Sequence, residues 1–314
     1  MLTLYPDIKP YICHTLAVDS IHQLYVEECG NPNGLPALFL HGGPGAGCHP
    51  HHRCFFDPDI YRIILFDQRG CGRSTPRGEL QENTTSALLA DIAQIQDHLG
   101  IKRWLIFGTS WGSALALLYA ETYPDQILGL ILHGIFLARA QDTRWFLQEG
   151  APQIFPDAWA CLVKNIPPEK QNDLLTAFAD LLSGTDELAQ MAAAKALGTW
   201  KSSCAGFTYE KVVPYDNQTA ILAQAHIQTH YAKHHYFIAP NQILANAHQL
   251  ATIPGVITHG RYDMICPLRN AWELYQAWPV AQLHIVPAAG HRSSDLANAD
   301  ALVRATQIMA RELQ

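Results

Sequence analysis

The segment Gly108-Thr109-Ser110-Trp111-Gly112 constrains this chain more than any other, because an apolar run, Trp104-Leu105-Ile106-Phe107, precedes it and a helix-like run, Ala114 to Ala120, follows it. A strand that turns within a few residues into a helix needs small residues beside the turn, and the residue at its apex is pushed outward. G-x-S-x-G in that setting reads as a nucleophile elbow, which presents a serine hydroxyl at the end of a strand. Five-residue patterns arise by chance, so the flanking runs carry the weight of this reading.

The same rhythm recurs along the chain. Continuous apolar runs at Ala37 to Leu40, Ile63 to Phe66, Leu105 to Phe107, Leu128 to Leu132, Val256 to Thr258 and Leu283 to Val286 end in glycine or polar residues and lead into helical patterns. Strands buried on both faces of a parallel sheet have this character, so the fold class is α/β, with a doubly wound, mostly parallel sheet. From about Arg139 to Pro240 the rhythm gives way to helix-like stretches such as Glu187 to Ala192. We expect a catalytic domain over 1–138 and 241–314 and a helical cap over 139–240, seated above the carboxyl ends of the strands where ligands of open α/β sheets bind.

Composition narrows the function. Among 314 residues, 48% are hydrophobic and 16% charged, ordinary for a globular chain long enough to bury a large core. A net charge of -7, with charges scattered rather than in runs, gives no footprint for nucleic acid or a membrane surface. The first ten residues lack the pattern of a signal peptide, no run is long enough for a membrane span, and the eight cysteines lack C-x-x-C pairing. A cytoplasmic enzyme with reduced thiols and no cofactor is the expectation; oligomeric state is not legible.

A serine hydroxyl needs a base to take its proton and an acid to orient that base. In this arrangement the acid and then the base should follow the serine. Asp263 stands just after the strand-like 255–260 run, and His291 just after the last one, so Ser110, Asp263 and His291 form the candidate triad. The developing oxyanion needs backbone N–H donors, which Trp111 and the loop His41-Gly42-Gly43-Pro44-Gly45, through Gly43, can supply.

With those residues in place, the chain resembles the proline iminopeptidases, or prolyl aminopeptidases, of the α/β-hydrolase fold. The resemblance covers nearly the whole length and rests on His41 to Gly45, Asp67-Gln68-Arg69-Gly70-Cys71-Gly72-Arg73-Ser74, Ser110 to Ser113, Gly134 to Leu137 and His259 to Asp263. It implies the same triad and the same oxyanion donors. It further implies a peptide or amide substrate with an unblocked N-terminal proline, whose ring lies in an aromatic pocket matched by Phe136, Phe146 and Phe237.

The resemblance implies cap glutamates for the free α-amine, since a partly buried ammonium needs an opposite charge. Here Lys201 follows Trp200, and Lys233 stands where the family's Glu precedes His-Tyr-Phe. Like charges about 4 Å apart repel by roughly 4 kcal/mol at an effective dielectric of about 20. Either these lysines redirect the scaffold toward an ester, a blocked amide or an anionic substrate, or they turn to solvent and another carboxylate, such as Glu149 or Glu210, takes the amine. The segment after Phe237 is also shorter than in the family. A binding protein that keeps the fold without catalysis is the reading from another class, and the intact triad argues against it.

Two clusters invite other readings. Cys48-His49-Pro50-His51-His52-Arg53-Cys54 carries zinc-type ligands, but at a spacing that matches no common structural site, so no metal is expected. His226, His230 and His234 recur every four residues and would share one solvated helix face.

Overall fold

The computed structural model describes residues 1–206 and 218–313. Strands β1 (Ile12–Ala17), β2 (Gln23–Gly30), β3 (Leu35–Leu40), β4 (Tyr61–Phe66), β5 (Trp104–Thr109), β6 (Ile127–His133), β7 (Gly255–Gly260) and β8 (Ala281–Val286) form one sheet in the order β1-β2-β4-β3-β5-β6-β7-β8. Strands β3 to β8 run parallel, and only the β2 pairings with β1 and β4 are antiparallel.

The six apolar runs fall within β3 to β8; those of β3 to β7 each feed two cores at once, while edge strand β8 exposes Gln282 and His284. Leu38, Leu40, Ile64, Phe66 and Ile106 enter the core on one face, while Ala37, Phe39, Ile63, Leu65 and Phe107 enter the core on the other. This is the two-residue alternation of a strand with no polar side to show. Each fully buried Leu, Ile or Phe is worth about 1.5–3 kcal/mol of transfer free energy.

Among the described residues the helices are α1 (Thr85–His98), α2 (Trp111–Thr122), α3 (Ala140–Arg144), α4 (Ala151–Ile154), α5 (Pro156–Val163), α6 (Leu174–Leu182), α7 (Glu187–Cys204), α8 (Gln218–Lys233), α9 (Gln242–Ala245), α10 (Leu268–Ala277) and α11 (Leu296–Glu312). Helices α1, α2 and α10 pack on one sheet face, and α11 packs on the other. None is long and apolar enough to cross a membrane.

Helices α3 to α8 lie in the chain between β6 and β7 and gather much of a third core around Leu162, Phe178 and Trp200. Asp173 caps α6 by accepting from Thr176 N, and Asp186 caps α7 by accepting from Leu188 N and Ala189 N. Helix α8 contributes to two cores, since Ala225 joins the third while Ile227 and Tyr231 enter the sheet core beside Trp111.

Strands β1 and β2 lie outside the six apolar runs. Strand β2 contains Glu27 and Glu28, which break its apolar pattern, yet both are buried. Glu27 accepts from Arg53 Nε at 2.7 Å and Arg73 Nη1 at 2.9 Å, while Glu28 accepts from Arg62 Nε at 2.6 Å. Arginine pairing lets these carboxylates sit inside a sheet, and no periodicity reveals that.

The histidines of the two clusters are occupied locally. His49 and His52 exchange the hydrogen bonds of a capping box at the turn Pro50–Phe55, and the His52 ring stacks on Phe39 at 4.3 Å. Among the described residues, no group of three or more His, Cys, Asp or Glu is placed to hold a metal ion. The expected solvated face of His226, His230 and His234 is corrected by the packing of α8 across the molecule. His230 Nε2 lies 3.0 Å from Asn83 O, His226 is half-buried, and only His234 is exposed.

Candidate active site

The parallel strands present their carboxyl ends along one edge, and each candidate residue sits just past one of them. Gly43 follows β3, Ser110 follows β5, Phe136 follows β6, Asp263 follows β7 and His291 follows β8. Such an edge is where an open α/β sheet can bring distant residues together.

Ser110 occupies a strained backbone position, φ 56° and ψ -121°. Its N–H donates to His133 O at 2.9 Å, and its carbonyl accepts from Ser113 N at 2.8 Å and Ser113 Oγ at 2.6 Å. The turn is too tight for side chains on either side. A Cβ on Gly112 would lie 2.0 Å from Leu40 O, and one on Gly108 would lie 2.2 Å from Gly112 O. The G-x-S-x-G spacing is therefore a steric requirement of packing α2 against β3.

Trp111 opens α2, where a backbone N–H has no acceptor within its own helix. Its indole N–H donates to Gln68 Oε1 at 2.9 Å. Gln68 in turn donates from Nε2 to His41 O at 3.0 Å and from its backbone N–H to His41 Nε2 at 3.1 Å. This bracket joins the elbow to the loop that carries Gly43, and Gly43 lines the same cavity as Ser110. Gln68 is a residue that the sequence reading quoted only within a motif.

Asp263 is fully buried and meets His291 Nδ1 with Oδ2 at 2.7 Å. Its Oδ1 accepts from Ile265 N at 3.0 Å and Cys266 N at 2.8 Å. Burial alone would raise this carboxyl, but the charge and hydrogen bond of His291, with help from His259 and the Cys266 N–H, hold it below its usual range. Asp263 is thus an ionised partner for His291.

Two further histidines wall this pair. His259 Nδ1 accepts from Ile135 N at 3.1 Å, so its proton sits on Nε2, which donates to Cys266 O at 2.8 Å. Burial lowers its basicity, and burial likewise pushes His133 down to about 4. Both rings are therefore neutral near pH 7, and neither competes with His291 for the charge of Asp263.

Among the described residues no hydrogen bond joins Ser110 Oγ to His291; Ser110 lines its cavity together with Cys266. His133 ties the two loops together, its carbonyl accepting from Ser110 N at 2.9 Å and its Nε2 lying 3.1 Å from His291 O. Gly42 lies against Ser110, with its missing Cβ 3.7 Å from Oγ, and Gly134 lies against the His291 ring, with its missing Cβ 3.2 Å from Nδ1. In proteins without substrate, such catalytic bonds are often long and tighten on binding. A hydroxyl, an imidazole with an ionised acid behind it and two free N–H donors can together perform acyl transfer.

The cavity at Ser110, of about 120 Å³, is mainly apolar. Phe136 and Phe146 both line it. Phe136 is held by its N–H donating to Ser113 Oγ at 3.1 Å, and the Phe146 carbonyl accepts from Trp200 Nε1 at 3.2 Å. Phe237 does not line it, and this corrects the sequence expectation. His235, Tyr236 and Phe237 all have left-handed backbone, φ 51°, 56° and 54°, which turns Tyr236 inward and stacks Phe237 on His234 at 5.0 Å. Tyr236 packs edge-on to Phe136 at 5.0 Å and reaches Thr143 Oγ1 at 3.2 Å.

The two lysines part company. Lys201, in the last turn of α7, lines the Ser110 cavity, and burial pulls its ammonium below the usual lysine range. Lys233 is exposed and lines a neighbouring cavity that does not include Ser110, so the expectation that both face the substrate is corrected. The end of α8 carries Lys233 outward while Thr229 and Ala232 face inward. Glu149 is exposed and pairs with Arg144 at 3.1 Å, away from the Ser110 cavity, and Glu210 lies outside the described residues. Among the described residues, the carboxylate that lines the cavity is Asp142, which is not among the residues singled out in the sequence.

The model of a family described by the alpha/beta hydrolase fold matches residues 36–296. The chain is 50% identical over 309 residues to the proline iminopeptidase of Xylella fastidiosa (strain 9a5c), spanning 98% of this chain and 99% of that protein. It is also 50% identical over 309 residues to the proline iminopeptidase of Xanthomonas citri, with the same coverage. Among solved structures, the proline iminopeptidase of Mycobacterium smegmatis superposes with a TM-score of 0.61 over 96% of this chain and all of that one. Its 18% identity speaks for the fold alone.

Proposed function

This chain belongs to the proline iminopeptidases of the α/β-hydrolase fold, and on that premise we propose that it releases N-terminal proline from peptides through an acyl-enzyme on Ser110. His291 takes the Ser110 proton as Oγ attacks the prolyl carbonyl, and Asp263 stabilises the imidazolium. The N–H groups of Trp111 and Gly43 receive the oxyanion. His291 then protonates the leaving amine, and water activated by the same imidazole cleaves the prolyl ester. The region 139–240 acts as the cap that closes over this chemistry, in an enzyme working in the cytoplasm.

The observation that carries the reading is the Asp263–His291 bond of 2.7 Å beside a strained Ser110, opening on a cavity with Phe136 and Phe146. A proline ring suits an apolar aromatic wall, and binding it there would fix the carbonyl at the elbow. A second reading, an altered preference for an ester, a blocked amide or an anionic substrate, draws on one observation. Lys201 enters the cavity at a place where the family has an acid.

The deciding experiment compares kcat/KM for a chromogenic free-proline amide with that for its N-blocked counterpart. A preference of 100-fold or more for the free amine is expected. Equal rates, or preference for the blocked compound, would overturn amine recognition and favour the second reading.

A further inference from the structure

The Ser110 cavity is lined by one cation and one anion among the described residues, Lys201 and Asp142, and they are not paired with each other. Asp142 is buried in α3 and takes one hydrogen bond from Arg139 N at 3.0 Å and one from Arg139 Nη2 at 3.3 Å. Arg139 is shared, since it also donates to Glu273 and to Asn270. Each carboxylate oxygen of Asp142 therefore keeps acceptor capacity facing a cavity with little other charge. Lys201 has no carboxylate partner among the described residues.

Both charges act close to the nucleophile. The thiol of Cys266, which lines the cavity with Ser110, is raised chiefly by burial, then by Asp263 and by Asp142, and is eased back by Ser110 and Lys201. Lys201 is also felt at His41, next to the Gly42 that packs on Ser110. An ammonium without a carboxylate partner, and a carboxylate whose one cation is shared with Glu273, are expensive in such a site unless the ligand completes them.

We propose that this cavity is built for prolyl dipeptides, with Asp142 holding the free imino group and Lys201 holding the carboxylate at the other end of the same short substrate. The idea rests on the iminopeptidase reading and gives that site its substrate length. Two residues span at most about 7 Å, so both termini of a dipeptide fall within reach of one cavity, whereas a longer peptide carries its carboxylate away. Lys201 then supplies an attraction in place of the repulsion that its position first suggests. No new chemistry is needed: Ser110 forms the prolyl ester, the released amino acid leaves with the proton from His291, and water completes the turnover.

The test measures kcat/KM for prolyl-alanine, prolyl-alaninamide and prolyl-alanyl-alanine on the same preparation. We expect prolyl-alanine to exceed the other two by at least tenfold. Lys201→Met should lower the rate on prolyl-alanine by tenfold or more and raise that on prolyl-alaninamide, which removes the preference. Asp142→Asn should raise KM for all three substrates by about 30-fold with a smaller change in kcat, and Asp142→Glu should restore part of the loss. A purely structural Asp142 would instead lower the melting temperature without this KM-specific pattern. Equal rates on prolyl-alanine and prolyl-alaninamide, or a ratio unmoved by Lys201→Met, would overturn the dipeptide assignment while leaving the iminopeptidase reading intact. Hydrolysis of none of the three would overturn both.

Discussion

The two sides of the Ser110 cavity are made on different terms. On the sheet side, the positions proposed for the chemistry are backbone positions: the left-handed Ser110, the N–H groups of Trp111 and Gly43, and glycines pressed against neighbouring carbonyls and rings. On the helical side, α3, α7, α8 and the turn at 235–237 offer side chains whose direction depends on a single helical step or one unusual φ. The first side tolerates almost no substitution without moving a strand. The second can exchange charge and shape while the sheet stays as it is, which separates what reaction is possible from what substrate is accepted.

The strongest way to break that division is at the elbow. Ser110→Ala should reduce kcat/KM on any hydrolysed substrate by at least 10⁴-fold with little change in melting temperature, because it removes the nucleophile and leaves the turn. Activity within tenfold of the parent protein would mean that the sheet side does not own the chemistry.

A smaller effect separates the aromatic residues. Phe136→Ala should raise KM for a proline amide by about 10- to 100-fold, the scale of a lost apolar contact in a binding pocket. Phe237→Ala should change it by less than about threefold, since that ring stacks on His234 outside the cavity. Equal losses from the two, measured by steady-state kinetics, would show that the turn at 235–237 does not sort them.

The smallest effect concerns stability on the sheet side alone. Glu121, in the last turn of α2, is held by burial up to about 8 against an ordinary 4.5, with a weak hydrogen bond from Asn246 opposing. Between pH 4.5 and about 8 the unfolded chain ionises this carboxyl while the folded one keeps its proton, so its contribution to stability falls as pH rises through that window and is gone above it. Glu121→Gln should therefore gain a few degrees of melting temperature over the parent protein between pH 5 and 9. Parallel curves of melting temperature against pH would contradict the buried, protonated carboxyl.

What the sequence disclosed follows the same line between the two sides. Runs such as Phe39 and Phe107 in one core and Leu40 and Ile106 in the other announce strands, and the glycines around Ser110 announce the turn, because local sterics leave few alternatives. That Asp263 and His291 stand past the ends of β7 and β8 was legible because strand ends recur in a fixed order. Asp142, Tyr236 and the inward Lys201 were harder, since nothing local says which face of a short helix, or which of three consecutive aromatic or histidine residues, turns toward Ser110. The one available signal for Asp142 was its place three residues after Arg139, where a carboxylate can close back on the start of its helix. Strand β2 stayed hidden because its two glutamates are neutralised by arginines from three separate segments.

His133 leaves a mark on how the molecule meets acid. Burial, reinforced by the neighbouring His291 and His259, holds its ring down at about 4, so below pH 6.5 the unfolded chain takes up a proton that the folded chain refuses. Its Nε2 lies 3.1 Å from His291 O, which makes it part of the scaffold that holds His291. Acid strong enough to protonate His133 would thus be felt as a loosening of the loop after β8, a change of shape beside His291.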